Sequence, residues 1–217
     1  RSGANAIAVW MILFTYGPHK WFEKISVLQM RTQFLCNELD KLEIKYFREI
    51  TTETEIDAKV AQIHQEFEVM PDCLPAEIRR AAHTACALDK LVQQHNLGSM
   101  AYYYVGEGDE TYQDIISSVI VGCSLLTGRH VPVAGEYEVK NAQAMKIMDS
   151  FGAGGSFTEF YAMDFNEDII LMGHDGPGHI AIAEGKPKLK PLKVYHGKIG
   201  QGLSVEMNVK TGPVTLL

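Results

Sequence analysis

Cysteine is scarce in this chain, with four in 217 residues: Cys36, Cys73, Cys86 and Cys123. None forms a C-x-x-C pair or a zinc-finger spacing, so neither a disulfide framework nor a structural zinc site is expected. Cys86 and Cys123 fall among apolar residues on predicted helix faces, where a free thiol behaves as a small hydrophobe. Reduced thiols of this kind suit a cytoplasmic location. Long apolar runs are missing too. The longest, Ile7 to Phe14, is too short to cross a bilayer and reads as a buried strand. Arg1 in front of it gives a faint likeness to a signal peptide, but no small-x-small cleavage site follows. Positive charge is in deficit, with a net charge of -7, which argues against a nucleic-acid surface. The one local basic run, Lys186 to Lys193 (KPKLKPLK), reads as a solvated loop and edge strand. There is no internal repeat, no G-x-S-x-G elbow and no cysteine in a catalytic frame.

What is present is an ordinary globular composition. A hydrophobic fraction of 46% is enough to build a sizeable core. Residues 54–67 place Ile56, Val60, Ile63 and Phe67 about one turn apart, as a helix would. Residues 75–95 form a stronger helical pattern, with Pro75 in the first turn and Gly98 as the stop. Strands are expected over 99–105 and 131–134, and helices over 111–126 and 137–150. That alternation implies an α/β class, with a parallel-sheet, Rossmann-like domain over 1–152 in which residues 1–37 have no assigned place. After the GAGG hinge at 152–155 come short β-prone segments at 155–163, 168–173, 179–183, 192–196, 203–209 and 213–217. These imply part of an antiparallel β domain over 153–217. The initial Arg suggests a missing leading piece, and the uncapped final PVTLL suggests truncation within the second domain.

Chemistry-bearing residues concentrate between Glu136 and His196. Glu136 follows the apolar strand VPVA, at the carboxyl end of a parallel strand where open α/β folds bind ligands. An ordinary helix N-terminal carboxylate is the competing reading. Glu159 lies in GSFTEFYAMDF, where alternation groups Phe157, Glu159, Tyr161 and Met163 on one face. It is paired, metal-bound or solvent-facing, since isolated burial of a carboxylate is costly. His174 opens the tight loop HDGPGH, with His179 at its end; His196, in VYHGK, is a weaker candidate. Two carboxylates and one imidazole suit Mn²⁺ or Mg²⁺ better than structural zinc. Gly106-Glu107-Gly108 sits between a strand and a helix, but it lacks a third glycine and is flanked by acids, so nucleotide binding is not expected.

Over AGEYEVKNAQAMKIMDSFGAGGSFTEFYAMDFNEDIILMGHDGPGHIAIAEGKP, the sequence resembles the L-arabinose isomerase family, related to L-fucose isomerase. The resemblance covers residues 100–217, and 38–100 more loosely, as a central domain plus the start of a C-terminal one. It implies an aldose–ketose isomerase of carbohydrate metabolism, converting L-arabinose to L-ribulose through an enediol. It assigns Glu136 and Glu159 as catalytic and metal-binding residues and His174 as a further ligand to Mn²⁺ or another divalent metal. A sugar substrate and a homo-oligomer with active sites at subunit interfaces are implied as well, with neither nucleic acid nor membrane as a partner. Glu138-Val139 and the Asp-Gly-Pro-Gly-His loop depart from the family pattern and leave the sugar open. The family's fourth ligand is a downstream histidine that this chain does not contain. The alternative is therefore a non-catalytic binding or assembly domain.

Overall fold

The computed structural model describes residues 43–103, 110–195, 198–199 and 202–216. The apolar run Ile7–Phe14, Cys36, Gly106–Gly108 and His196 lie outside the described residues. The described chain is mixed α/β, with small parallel pairings and antiparallel strands.

Helix α1 (Glu43–Glu49) precedes α2 (Glu53–Glu66). Thr52 starts α2 with a capping box: its hydroxyl accepts from the Glu55 N–H, and the Glu55 carboxylate accepts from the Thr52 N–H. Two helix-start donors are thereby satisfied reciprocally. Strand β1 (Glu68–Val69) leads to α3 (Pro75–His95), whose first turn takes Pro75. Asn96, with φ 49°, ends α3 in the left-handed conformation, two residues before the expected Gly98. Asn tolerates that conformation nearly as glycine does.

Strand β2 (Met100–Ala101) pairs in parallel with β3 (Val133–Ala134). Between them the helix expected over 111–126 is two helices, α4 (Glu110–Ile116) and α5 (Val119–Gly128). The Ser118 hydroxyl turns back onto the carbonyls of Asp114 and Ile115, offering the backbone an alternative partner at the break. Every residue of α5 from Val119 to Thr127 is buried. An all-round apolar helix of this kind is a core helix. It passes so close to α3 that a methyl group on Gly122 would come within 2.9 Å of the Ala85 Cα.

Helix α6 (Val139–Ser150) follows β3. Strands β4 (Glu159–Asp164) and β5 (Ile169–Gly173) form an antiparallel ribbon that pairs with no other strand among the described residues. A single 3₁₀ turn, Ile180–Ile182, stands where a strand over 179–183 is expected. The lysine-rich run expected to be a solvated loop and edge strand contains β6 (Lys188–Pro191), which is the central strand of a three-stranded sheet. It pairs in parallel with β1 and antiparallel with β9 (Leu203–Glu206). Leu189 points inward at 0% exposure while its lysine neighbours face out, so the lysines mark only the outer face. Strands β7 (Val194–Tyr195) and β8 (Lys198–Ile199) make a short hairpin, and residues 213–216 form no strand.

Two large apolar clusters share α3 and α5. One joins Phe47, Leu88, Leu91, Met100, Leu126 and Val133. The other joins Ile56, Ile63, Phe67, Leu125, Leu189 and Leu203, so strands β6 and β9 complete a core begun by α2. Each fully buried large side chain contributes about 1.5–3 kcal/mol. A third cluster, of Ala101, Ala134, Ala142, Met145 and Phe157, lies beneath the candidate site.

Candidate functional site

The site begins at the carboxyl ends of β2 and β3. After Ala134 the chain turns through Glu136 (φ 60°) and Tyr137 (φ 55°), two consecutive left-handed residues without a glycine. Such conformations cost on the order of 1–3 kcal/mol each and persist only where surrounding bonds impose them. Here the Tyr137 N–H donates to the Tyr102 carbonyl at 3.0 Å, and the Glu138 N–H to the Gly135 carbonyl at 2.9 Å. Tyr137 also stacks on Tyr103, with centroids 4.9 Å apart and planes 5° from parallel. Glu136 is held half-buried at the mouth of the parallel strands.

The structure brings His174 to this turn. A methyl group on Gly135 would stand 3.4 Å from both Cε1 and Nε2 of His174, and one on Gly176 only 2.5 Å from Cε1. The imidazole is thus clasped by two glycines, and Phe157 meets it edge to face. Glu159 arrives across the ribbon, since its Cα partner in the register is Gly173, the residue before His174. Glu136, Glu159 and His174, far apart in sequence, therefore gather around one end of the parallel pair.

The register also changes the face assignment within β4. The pairing shifts between Phe160 and Ala162, so an extra residue breaks the alternation. Met163 consequently lies on the face of Phe160, opposite Glu159. Tyr161 leans over Gly173, where a methyl group would come within 2.8 Å of its Cε2. Loss of water raises the Tyr161 phenol above its ordinary range, and the negative charges of Glu159, Asp175 and Glu136 push it further. The hydroxyl stays protonated in a cluster of carboxylates.

His179, the other loop histidine, occupies a different place. It is 2% exposed, and a methyl group on Gly154 would come within 3.0 Å of its Nε2. Neither of its ring nitrogens has a hydrogen-bond partner among the described residues. Burial holds its pKa below the usual histidine value, against the opposing charge of Asp149. Beside it, His130 Nδ1 and Asp149 Oδ1 are 2.6 Å apart, and Lys146 Nζ donates to Asp149 Oδ2 at 3.2 Å. Burial raises the Asp149 carboxyl, but those two partners outweigh it and the net shift is downward.

Sequence reasoning missed Tyr161, the Tyr103–Tyr137 stack and the two glycines that clasp His174. Only Gly135 and Gly176 carried any signal, as small residues flanking chemistry-bearing ones; the bulge that aims Tyr161 had none.

No family model matches the chain. A 49-residue segment is 53% identical to tryptophan decarboxylase from Clostridium sporogenes (strain ATCC 15579), covering 23% of this chain and 12% of that protein. The chain thus spans about an eighth of the relative it matches. That relative is a decarboxylase, which overturns the resemblance to the L-arabinose isomerase family. The aldose–ketose isomerase activity, the sugar substrate, the place in arabinose catabolism and the alternative of a non-catalytic domain with an isomerase fold fall with it. The expectation of Mn²⁺ is corrected on two grounds. The relative is a decarboxylase, and among the described residues no three His, Cys, Asp or Glu side chains come together to hold a metal. Glu136, Glu159 and His174 approach one another as neighbours of a tyrosine rather than as a ligand set. Among the described residues no helix is long and apolar enough to cross a membrane.

Proposed function

We propose that this chain is part of a lyase that decarboxylates an aromatic amino acid, with the Glu136 turn as its acid–base site. The observation that carries the reading is the 53% identity to a tryptophan decarboxylase over 49 residues. Loss of CO₂ leaves an electron pair on carbon that must be protonated, and a donor held within hydrogen-bond reach accelerates that step. His174, in its glycine clasp, is a group of that kind, and the Tyr161 hydroxyl lies beside it across Gly173. Glu136 and Glu159 set the charge around them. The stacked Tyr103 and Tyr137 offer a flat aromatic surface against which an indole or phenyl ring would pack. A Rossmann-like arrangement around β2 and β3 and a cytoplasmic location belong to the same proposal.

Amino-acid decarboxylation also needs an electron sink, the work pyridoxal phosphate does in many enzymes. The described residues at this turn do not fit that group, so the turn is read as an acid–base site alone and the pyridoxal phosphate supplied in the test below would be held elsewhere in the enzyme. The cofactor's phosphate would seek a helix N-terminus, yet Glu136 and Glu138 flank the start of α6. Lys146 of the same helix is already held by Asp149 and by the His130 carbonyl.

The test is to incubate the protein with L-tryptophan, supplying pyridoxal phosphate, and to measure tryptamine by mass spectrometry. Tryptamine should form and should fall at least about tenfold in His174→Gln. Absence of amine product from tryptophan, tyrosine and phenylalanine alike would overturn the reading.

A further inference from the structure

His179 ties down the loop that follows α6. Its ring lies against Gly154, where a methyl group would come within 3.0 Å of Nε2 and 2.8 Å of the Ile182 Cγ2. Gly154 is left-handed at φ 69°, so a side chain there would be strained as well as crowded. The His179 backbone N–H also donates to the Ser156 hydroxyl at 3.4 Å. The residue after Ser156 is Phe157, the buried ring that meets His174 edge to face. A displacement of His179 therefore reaches the wall of the candidate site through Ser156.

The same imidazole has nothing to receive a charge. It is 2% exposed, and neither ring nitrogen has a partner among the described residues. The charged and titratable groups that act on it are Asp149 of α6 and His130 after α5. Both oxygens of the Asp149 carboxylate are committed, Oδ1 to His130 Nδ1 at 2.6 Å and Oδ2 to Lys146 Nζ at 3.2 Å. Protonating the exposed His130 tightens that commitment and adds a positive charge. The other neighbours bring no charge. The Ser124 hydroxyl of α5 accepts from the Gly178 N–H at 3.1 Å, Met207 packs on Gly178, and residues 152–156 are all uncharged. A buried cation without a partner is strongly unfavourable.

We propose that His179 is a pH-sensitive latch on the candidate site: neutral, it packs the loop 152–156 closed, and protonated, it leaves its place so that the loop and Phe157 release His174. The closed chain resists the proton, whereas an opened loop exposes a histidine that titrates near the ordinary value of 6.5. The latch is therefore closed above that pH and opens as pH falls below it. The two large apolar clusters around α3 and α5 contain no histidine and stay packed meanwhile. The latch rests on the packing around His179 and stands independently of the decarboxylation reading.

Hydrogen–deuterium exchange of the full chain, read by mass spectrometry, tests it. From about pH 7.5 to about pH 5.5, protection of peptides spanning residues 152–158 should fall roughly three- to tenfold after correction for intrinsic exchange, the upper figure being the proton uptake of an ordinary histidine over that range. Peptides from α3 should change little. His179→Leu, which is apolar and cannot charge, should abolish this pH dependence while the circular dichroism spectrum stays that of the parent. In the unsubstituted chain, the Phe157 ring signals in an NMR titration should move with the His179 midpoint. Loop protection indifferent to pH, a His179→Leu chain with the parent's pH dependence, or Phe157 signals that do not follow His179 would each overturn the proposal.

Discussion

His174 and Phe157 meet edge to face, their ring centroids 4.3 Å apart and their planes at 86°. Phe157 is buried in the cluster beneath β2 and β3, so it is a fixed wall. With Gly135 and Gly176 on the other sides, it leaves the imidazole little room to rotate.

Gly176→Ala should therefore displace His174 rather than unfold the protein, because the added methyl would land 2.5 Å from Cε1 of the imidazole. A misplacement of about 1 Å in a reacting group can cost on the order of 100-fold in rate. Amine formation should fall sharply while the melting temperature shifts little. The His174 ring signals in a heteronuclear NMR spectrum should move.

Glu159→Gln should let Tyr161 ionise at lower pH. Glu159 is the largest of the three nearby charges that disfavour the phenolate, and removing it leaves Asp175, Glu136 and the loss of water acting on the hydroxyl. The measurement is an ultraviolet difference titration of phenolate absorbance, with a Tyr161→Phe chain identifying the signal. An unchanged Tyr161 midpoint would separate Glu159 from this cluster.

The Thr52 cap gives a prediction about acid stability. Glu55 is lowered from 4.5 to about 2, first by its bond from Lys90 and then by the Thr52 N–H and hydroxyl. A carboxylate whose folded pKa is depressed adds stability that is present above about pH 4.5 and is lost as pH falls toward about 2. Glu55→Gln should flatten that part of the stability curve, and salt should shrink the difference because the group is solvent-exposed. Thr52→Ala should cost about 1 kcal/mol in urea unfolding.

Gly122→Ala should cost about 1–3 kcal/mol by overpacking. The new methyl would meet Leu88 Cδ1 at 2.7 Å and the Ala85 Cα at 2.9 Å, the latter backbone that cannot swing aside. Urea unfolding should show a lower midpoint with an unchanged slope.

The long helices were legible because their signals are local. The stripe through Ile78, Ala81, Ala82, Ala85, Leu88 and Leu91 reads directly as the buried side of α3. Thr52 and Glu55 announce the start of α2 in the same way. The central place of β6, expected as an edge strand, was hidden because its lysines describe its outer face, whereas that place depends on β1 and β9, distant in sequence. Glu136, Glu159 and His174 are expected as ligands of one divalent metal, and among the described residues no such ligand group forms. Residue types and order alone do not separate a metal ligand set from carboxylates disposed around a phenol. The left-handed pair at Glu136 and Tyr137 leaves no trace in composition, since neither residue favours that conformation.

The parallel pairing of β1 with β6 bears on how the chain is made. Glu68 and Val69 find their partners at Lys188 and Leu189, roughly 120 residues later, so translation at about 5–20 residues per second delays that pairing by some 6–24 s. During that interval Ile56, Ile63 and Phe67 lack the Leu189 and Leu203 surface that later covers them. A ribosome-bound chain stalled before residue 188 should thus keep that apolar surface open, a natural place for a chaperone to hold the nascent protein.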